Sequence, residues 1–151
     1  MGLSWRITIP AGSSQTIQHA TVFSPTGKLP VTTSATVSPA SAPQAGTVTY
    51  TLTLNNANTV PVDLQTLSFA LPAGFTYVTG TSTGPFAQPA FSGNTVTWTG
   101  PVSLPAGNTS VTLQALVGAT VPTGTYTSDV SGTAVGGYTV VGTAAPVPVT
   151  V

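Results

Sequence analysis

Apolar and polar residues alternate strictly along the segment Thr47–Leu54, which reads TVTYTLTL. Threonines occupy every second position, and the positions between them hold Val48, Tyr50, Leu52 and Leu54. Successive side chains of a β-strand point to opposite faces. This pattern therefore predicts an antiparallel strand with one face in a core and the other in solvent.

Further segments with the same alternation follow, and turns containing Pro or Gly separate them. Both residues favour turns, because the proline ring fixes φ and glycine accepts positive φ. Helical segments are not expected, since the chain has no Glu and Pro or Gly interrupts almost every window. We predict an all-β fold, an immunoglobulin-like antiparallel β-sandwich with an extra N-terminal strand segment. Its further strands are Val31–Val37, Asp63–Leu71, Phe75–Thr79, Asn94–Thr99, Ser110–Val117 and Thr125–Ala134.

Charged residues make up 3% of this chain of 151 residues, against about a quarter of an average globular domain. They are Arg6, Lys28, Asp63 and Asp129, and the net charge is zero. Nucleic acids and anionic membranes bind clusters of cations, so both are excluded as partners. No apolar run reaches the roughly 18 residues of a membrane span, so no membrane insertion is expected. About a fifth of the chain is threonine. A neutral surface rich in hydroxyl groups suits a subunit packed against copies of itself or coated with glycans.

Five stretches of the chain occur in an order that resembles a known family of surface domains. They read TVSPASAPQAG, TVTYTLTLNNAN, FALPAGFTYVTGTSTG, NTVTWTGPVSLPAGNTSVTLQALV and GTYTSDVSGTAVGG. The order is similar to the conserved-repeat surface domain of bacteria and archaea, domain-of-unknown-function family eleven, over about residues 31–137. The resemblance implies an immunoglobulin-like sandwich, an extracellular location and a role in repeats or assembly, without catalysis. Phe69 departs from the family pattern, which has an acidic residue there, so a calcium-stabilised turn is not expected.

The family-like region leaves two ends of the chain outside it. We therefore divide the chain into an N-terminal extension (1–30), the sandwich (31–137) and a C-terminal edge strand or tail (138–151). The extension holds Trp5, Ile7 and Ile9 at alternate positions. They suit either the first strand of the chain's own sandwich or a donor strand that completes a neighbouring subunit. The tail can form only an edge strand, because Pro146 and Pro148 lack an N–H.

Titratable residues that could build a catalytic, metal or cofactor site are scarce. His19 is the single histidine, and the chain has neither Cys nor Glu, whereas zinc sites and activated nucleophiles need several converging groups. Asp63 and Asp129 could in principle form a carboxylate pair of the glycosidase type, but alternation places Asp129 on an outer strand face. We therefore predict no catalytic residues, no metal site and no cofactor, and hence no enzyme.

Two residues could carry covalent modifications. Lys28 could cross-link to an asparagine beside a carboxylate, but its segment SPTGKLP is turn-like and favours a solvated lysine. Asn108 begins the glycosylation pattern Asn108-Thr109-Ser110 in a predicted Gly-rich turn. Such triplets arise often by chance in a Thr-rich chain, so Asn108 is a candidate attachment point only.

These observations predict a structural subunit of an extracellular prokaryotic filament or pilus. In that interpretation copies of the chain assemble head to tail by β-strand donation from Trp5, Ile7 and Ile9. The alternative is a single module of a modular cell-surface adhesin or cell-wall protein, acting as a spacer or a ligand-binding domain. Both place the chain outside the cell.

Overall fold

The computed structural model of the chain describes residues 27–142 and 147–151. Within these ranges, no helix is long and apolar enough to cross a membrane. The regular structure of the described residues consists of ten strands: β1 (Val31–Ser38), β2 (Thr47–Asn56), β3 (Val62–Ala70), β4 (Phe75–Tyr77), β5 (Ala90–Ser92), β6 (Thr95–Leu104), β7 (Gly107–Val117), β8 (Thr125–Ala134), β9 (Val140–Val141) and β10 (Val147–Thr150).

The strands form two five-stranded sheets. The first sheet has the order β4-β7-β2-β1-β9 and the second has the order β10-β8-β3-β6-β5. All neighbours pair antiparallel except β1 and β9, which pair parallel. The predicted all-β antiparallel sandwich is therefore confirmed, whereas the predicted N-terminal strand segment lies outside the described residues.

The core lies between the central strands of the two sheets. On β2 the four apolar residues that alternate with threonine are fully buried, as predicted, and they include Tyr50. On β3 the fully buried residues include Leu67 and Phe69. The rings of Tyr50 and Phe69 meet edge to face, with centroids 4.9 Å apart at 64°. Such a contact adds about 0.5–1.5 kcal/mol to the stabilisation that burial of the two rings provides.

Strand β6 continues to Leu104, so the prediction that it ends at Thr99 before a turn was wrong. The register of β3 shifts between Leu64 and Thr66, which accommodates Gly100 and the following proline opposite it. A Cβ atom at Gly100 would lie 2.1 Å from the backbone oxygen of Leu64, so only glycine fits there. Pairing then resumes and carries the apolar side chain of Leu104 into the core, where it is 1% exposed.

Two short strands lie beyond residue 137, and both join the sheets. Strand β9 pairs with the first two residues of β1, and β10 forms an edge of the second sheet against β8. Val149 of β10 is fully buried. The described part of the C-terminal segment therefore contributes to the same core as the other strands.

The loop 78–89 closes one open side of the sandwich, between β4 and β5. Ser82 is buried, and its hydroxyl accepts a 2.8 Å hydrogen bond from Trp98 Nε1. Gln88 Nε2 donates to the Ser82 backbone oxygen at 2.9 Å, and Thr83 pairs with Thr112 of β7 as an isolated bridge. The loop thus supplies the polar partner that the buried indole N–H requires.

Tyr50 makes the stability of the fold dependent on pH in the alkaline range. Burial raises the pKa of Tyr50 to about 12, although the neighbouring Ser128 hydroxyl lowers it in part. An unfolded tyrosine ionises near pH ~10, so the unfolded chain releases its proton first as the pH rises. We expect the free energy of unfolding to fall by roughly 2–3 kcal/mol between about pH 10 and 12.

Urea unfolding between pH 8 and 12 measures this decrease. The Tyr50→Phe variant should lose the Tyr50 contribution, and the control Tyr126→Phe should keep it. An identical pH dependence in wild type and Tyr50→Phe would contradict the prediction.

Candidate functional site

The predicted subunit-interaction residues Trp5, Ile7 and Ile9 lie outside the described residues, and so does His19. Their assignment as a donor strand therefore stays a prediction. The surfaces that the structure does describe are the two outer sheet faces and the two ends of the sandwich.

Asn108 lies in strand β7 and not in a Gly-rich turn, so that part of its prediction was wrong. The turn lies at residues 105–106, and β7 begins with Gly107, whose φ of 94° favours glycine. The Asn108 side chain is exposed, and its Oδ1 accepts a 2.6 Å hydrogen bond from Asn55 Nδ2 on the neighbouring strand. Glycosylation of Asn108 stays a prediction.

The two aspartates lie far apart, although β3 and β8 are adjacent strands. The backbone oxygen of Asp63 accepts a hydrogen bond from the N–H of Val135, just beyond β8. Asp129 lies six residues before Val135, which corresponds to about 20 Å along a strand. Paired glycosidase carboxylates lie within about 10 Å of each other, so these two do not form such a pair. Among the described residues, no group of three or more His, Cys, Asp or Glu could hold a metal ion.

The Lys28 side chain contacts the loop between β8 and β9. Its ammonium group donates a hydrogen bond to the backbone oxygen of Gly136 and lies 4.7 Å from the centre of the Tyr138 ring. An ammonium group over an aromatic face is stabilised by about 0.5–1 kcal/mol at exposed sites. The sequence predicted a solvated lysine. In the structure Lys28 is partly buried and makes these two contacts.

The outer face of the first sheet bears mainly hydroxyl and amide side chains, with Leu116 as an exposed apolar residue among them. The strands β1, β2, β4 and β7 contain no charged residue. Their register places Thr36, Thr51, Thr112 and Thr83 side by side across the sheet. This face can form hydrogen bonds, but its strands offer no ionic interactions to a partner.

One end of the sandwich carries three exposed apolar side chains. Leu29 is 40% exposed, Val60 49% and Val135 42%, and we call these three residues the apolar cap. They precede β1, connect β2 to β3 and follow β8, respectively. Hydrogen bonds join their segments, because Asn58 binds Leu29 and the N–H of Val135 donates to Asp63. The cap is therefore built by three loops that meet at one end.

The side chain of Asn56 holds the middle loop of the cap. It is 1% exposed, and its Nδ2 donates to the backbone oxygens of Val60 and Leu104 at 2.9 and 3.1 Å, and to that of Pro105 at 3.3 Å. Its Oδ1 accepts hydrogen bonds from the backbone N–H and the Nδ2 of Asn58. One buried amide thus orders the segment that exposes Val60.

Asn58 in turn binds both the N–H and the carbonyl oxygen of Leu29. Its Oδ1 accepts from the N–H of Leu29 at 2.8 Å, and its Nδ2 donates to the oxygen of Leu29 at 2.9 Å. This double contact reproduces the pairing of two residues in a β-ladder. The backbone that carries Leu29 is therefore ordered before any partner binds.

The opposite end of the sandwich consists of the loops 39–46, 72–74 and 118–124, which we call the far end. These loops contain no charged residue, and their exposed residues include Pro39, Ala40, Pro43, Ala73 and Pro122. Strand β1 begins at the apolar cap, whereas β10 ends at the far end, where Ala42 and Gly124 hydrogen-bond to its last residues and Val151. Strand β1, the first described strand, thus begins at one end of the sandwich, and β10, the last, finishes at the other.

The sequence pattern could not reveal the apolar cap. Leu29, Val60 and Val135 each stand beside Pro or Gly in segments without alternation, where an apolar residue carries no sign of its environment. The cluster Asn55–Asn58 was a usable signal, because asparagines favour turns. It does not say that Asn56 points inward and binds three carbonyl oxygens.

Comparison with known proteins shows the fold. No family model matches the sequence, and no curated protein matches it either, so the resemblance to the conserved-repeat surface family is not confirmed. The structure is similar to BslA, described as a bacterial hydrophobin, with 20% identity and a TM-score of 0.55 over 80% of this chain and 93% of that one. It is similar to CaCohA2 from Clostridium acetobutylicum, with 15% identity and a TM-score of 0.56 over 82% of this chain and 92% of that one.

Two further structures extend this comparison. CaCohA2 has also been solved in a complex with CaDoc0917, where the match covers 79% of this chain and 99% of that one at a TM-score of 0.55. A Corynebacterium diphtheriae protein described as membrane anchored matches at 12% identity and a TM-score of 0.55. The match covers 80% of this chain but 33% of that protein. At these identities the likeness shows a common β-sandwich fold.

Removal of the Asn56 side chain should loosen the apolar cap and destabilise the protein. In Asn56→Ala, the buried backbone oxygen of Leu104 and the partly buried oxygens of Val60 and Pro105 lose the hydrogen bonds from Nδ2. Unsatisfied buried groups of this kind cost about 1–3 kcal/mol each before relaxation, so we expect a total loss of about 2–3 kcal/mol. Urea unfolding measures this loss. Asn58→Ala is the matched control, since its contacts with Leu29 are exposed and its loss should stay below about 1 kcal/mol. An equal or larger loss in the control would refute the assignment.

Proposed function

We propose that the chain is a structural module of a prokaryotic cell-surface protein, in which it serves as a spacer and presents its surface to protein partners. The observation that carries the proposal is the position of the first and last strands of the described residues. Strand β1 begins at the apolar cap and β10 ends at the far end. Each such module adds its full strand length to a row, which is about 33 Å for the ten residues of β2.

The chemistry of the described surface supports a structural function. The outer face of the first sheet bears hydroxyl and amide groups, and the two aspartates stand about 20 Å apart along the strand direction. General acid–base catalysis needs titratable groups within hydrogen-bond reach of one substrate. Contacts between neutral surfaces, by contrast, need only complementary shape and hydrogen bonds.

The similar structures supply a second line of support. One is described as a hydrophobin, another as membrane anchored, and CaCohA2 is known in a complex with a second protein. The β-sandwich of this chain is therefore of a kind that occurs in proteins with these descriptions. We extend to this chain only the general role of a surface module that contacts other proteins.

A filament subunit assembled by strand donation is the second candidate, favoured by one specific observation. Within the described residues, no strand pairs with the outer edge of β1 between Ser34 and Ser38. A strand containing Trp5, Ile7 and Ile9 of another copy could add to this edge through main-chain hydrogen bonds. Because each described sheet already has five strands, a donated strand would extend the sheet and not fill a gap in the core.

A surface module should be accessible from outside the cell. On intact cells that make the protein, an antibody against the folded chain should label the cell surface, and added protease should remove the label. A cytosolic protein of the same cells is the control, and it should stay unlabelled and uncut. Labelling that appears only after the cells are opened would contradict the proposal.

The length of a particle made of two joined copies tests the spacer arrangement. Two full copies joined end to end should give a particle about twice as long as one copy in small-angle X-ray scattering. A compact side-by-side particle would rule out the spacer arrangement.

The second candidate predicts that deletion of Met1–Pro10 leaves a folded protein that does not polymerise. Electron microscopy of the purified full chain and of the deletion variant measures this, and circular dichroism checks that both are folded. Fibres from the full chain that persist after the deletion would exclude donation by Trp5, Ile7 and Ile9. Absence of fibres from the full chain would exclude the filament altogether.

A further inference from the structure

The apolar cap combines exposure with a rigid backbone. Five large hydrophobic residues are exposed in the described part of the chain, and three of them form the cap. Scattered exposed apolar residues are normal on protein surfaces, whereas clustered ones mark contact sites. Asn56 and Asn58 hold the loops of the cap through side-chain hydrogen bonds. A partner that covers the cap therefore buries apolar side chains without first having to order the loops that carry them.

The far end offers an uncharged surface, whereas Lys28 and Asp63 lie beside the cap. Its loops carry no charged residue and expose proline and alanine, whose side chains lose almost no conformational entropy when they are buried. Gln44 Nε2 donates a 2.7 Å hydrogen bond to the oxygen of Val121, which joins two of these loops. The desolvation penalty for covering the far end is small, because no charge has to leave water.

The path of the chain indicates which surface covers which. The cap lies where β1 begins, and the far end lies where β10 finishes. In a row of copies that all point the same way along their strands, the cap of one copy faces the far end of its neighbour. A contact between two different surfaces of identical copies is heterologous and extends into an open row.

We infer that the apolar cap of one copy packs against the far end of a second copy of this chain. The inference deepens the proposed spacer function, because it states how such modules meet, and it rests on that function for its biological meaning. The contact itself needs only the purified chain. Failure to associate would therefore refute the contact without touching the surface location, which the labelling of intact cells tests separately.

The experiment is sedimentation velocity of the full chain in a concentration series. The series should reach the roughly millimolar effective concentration at which tethered neighbours meet. We expect the mean mass to rise with concentration, in steps of one copy. Val60→Lys should weaken the association at least about tenfold, because it places an ammonium group in the contact. Val135→Lys, on another loop of the cap, should act in the same way.

Leu116→Lys is the matched control. Leu116 is 40% exposed, like Leu29, but it lies on β7 and points to the outer face of the first sheet. The control should associate as the wild type does, and the thermal unfolding of every variant should confirm that it is folded. A wild-type chain that stays monomeric throughout, or a control as impaired as Val60→Lys, overturns the inference.

A mixing experiment tests the head-to-tail direction. Ala73→Lys places a charge on the far end and should by itself weaken association as Val60→Lys does. A mixture of Val60→Lys and Ala73→Lys should form dimers and nothing larger, since each pair retains one intact cap and one intact far end. Undiminished association of Ala73→Lys alone would indicate contact between two caps, and it would refute the inference. Association that survives Val60→Lys but is lost on deletion of Met1–Pro10 would assign it to strand donation instead.

Discussion

The edge-to-face contact between Tyr50 and Phe69 joins the central strands of the two sheets. Strand β2 has β1 and β7 on its two sides, and β3 has β6 and β8. The inward residues of both central strands are therefore shielded from solvent on every side, and burial of their apolar area supplies most of the driving force for folding. Because side chains alternate along a strand, the same packing turns the threonines of β2 outward. The neutral outer face of the first sheet is a direct result of how the core is built.

A chain with 3% charged residues has to fix its loops by other means. Here amide side chains perform this function, and each donates to the backbone oxygen of a neighbouring segment. Among the described residues, five such side chains hold loops at both ends and along one side of the sandwich, namely Gln44, Asn56, Asn58, Gln88 and Asn94. Asn56 is the most buried of these and binds the largest number of partners. It orders the loop that exposes Val60, so the surface of the apolar cap depends on a residue that a partner never touches.

The sequence predicted the strands whose alternation was undisturbed, and it predicted their inward faces. The prediction failed where the backbone departs from regular pairing. Strand β6 crosses Gly100 and a proline, a pair that ordinarily marks a turn, because β3 shifts its register at the same level. The short strand β5 lacks alternation and forms through pairing with β6. The apolar cap escaped prediction for a related reason, since its residues come from three loops that are distant in sequence and adjacent only after folding.

The five amide side chains that hold the loops, here called the amide clamps, have a consequence for the conditions under which this protein keeps its shape. Amide side chains do not exchange protons over the range in which carboxylates and imidazoles titrate. None of the five clamps is an ion pair, so dissolved salt has no charge to screen there. The loops that form the ends of the sandwich should therefore keep one geometry in acidic or neutral and in fresh or saline water. A protein that meets the medium directly, without the buffering of a cytoplasm, would retain its contact surfaces as that medium changes.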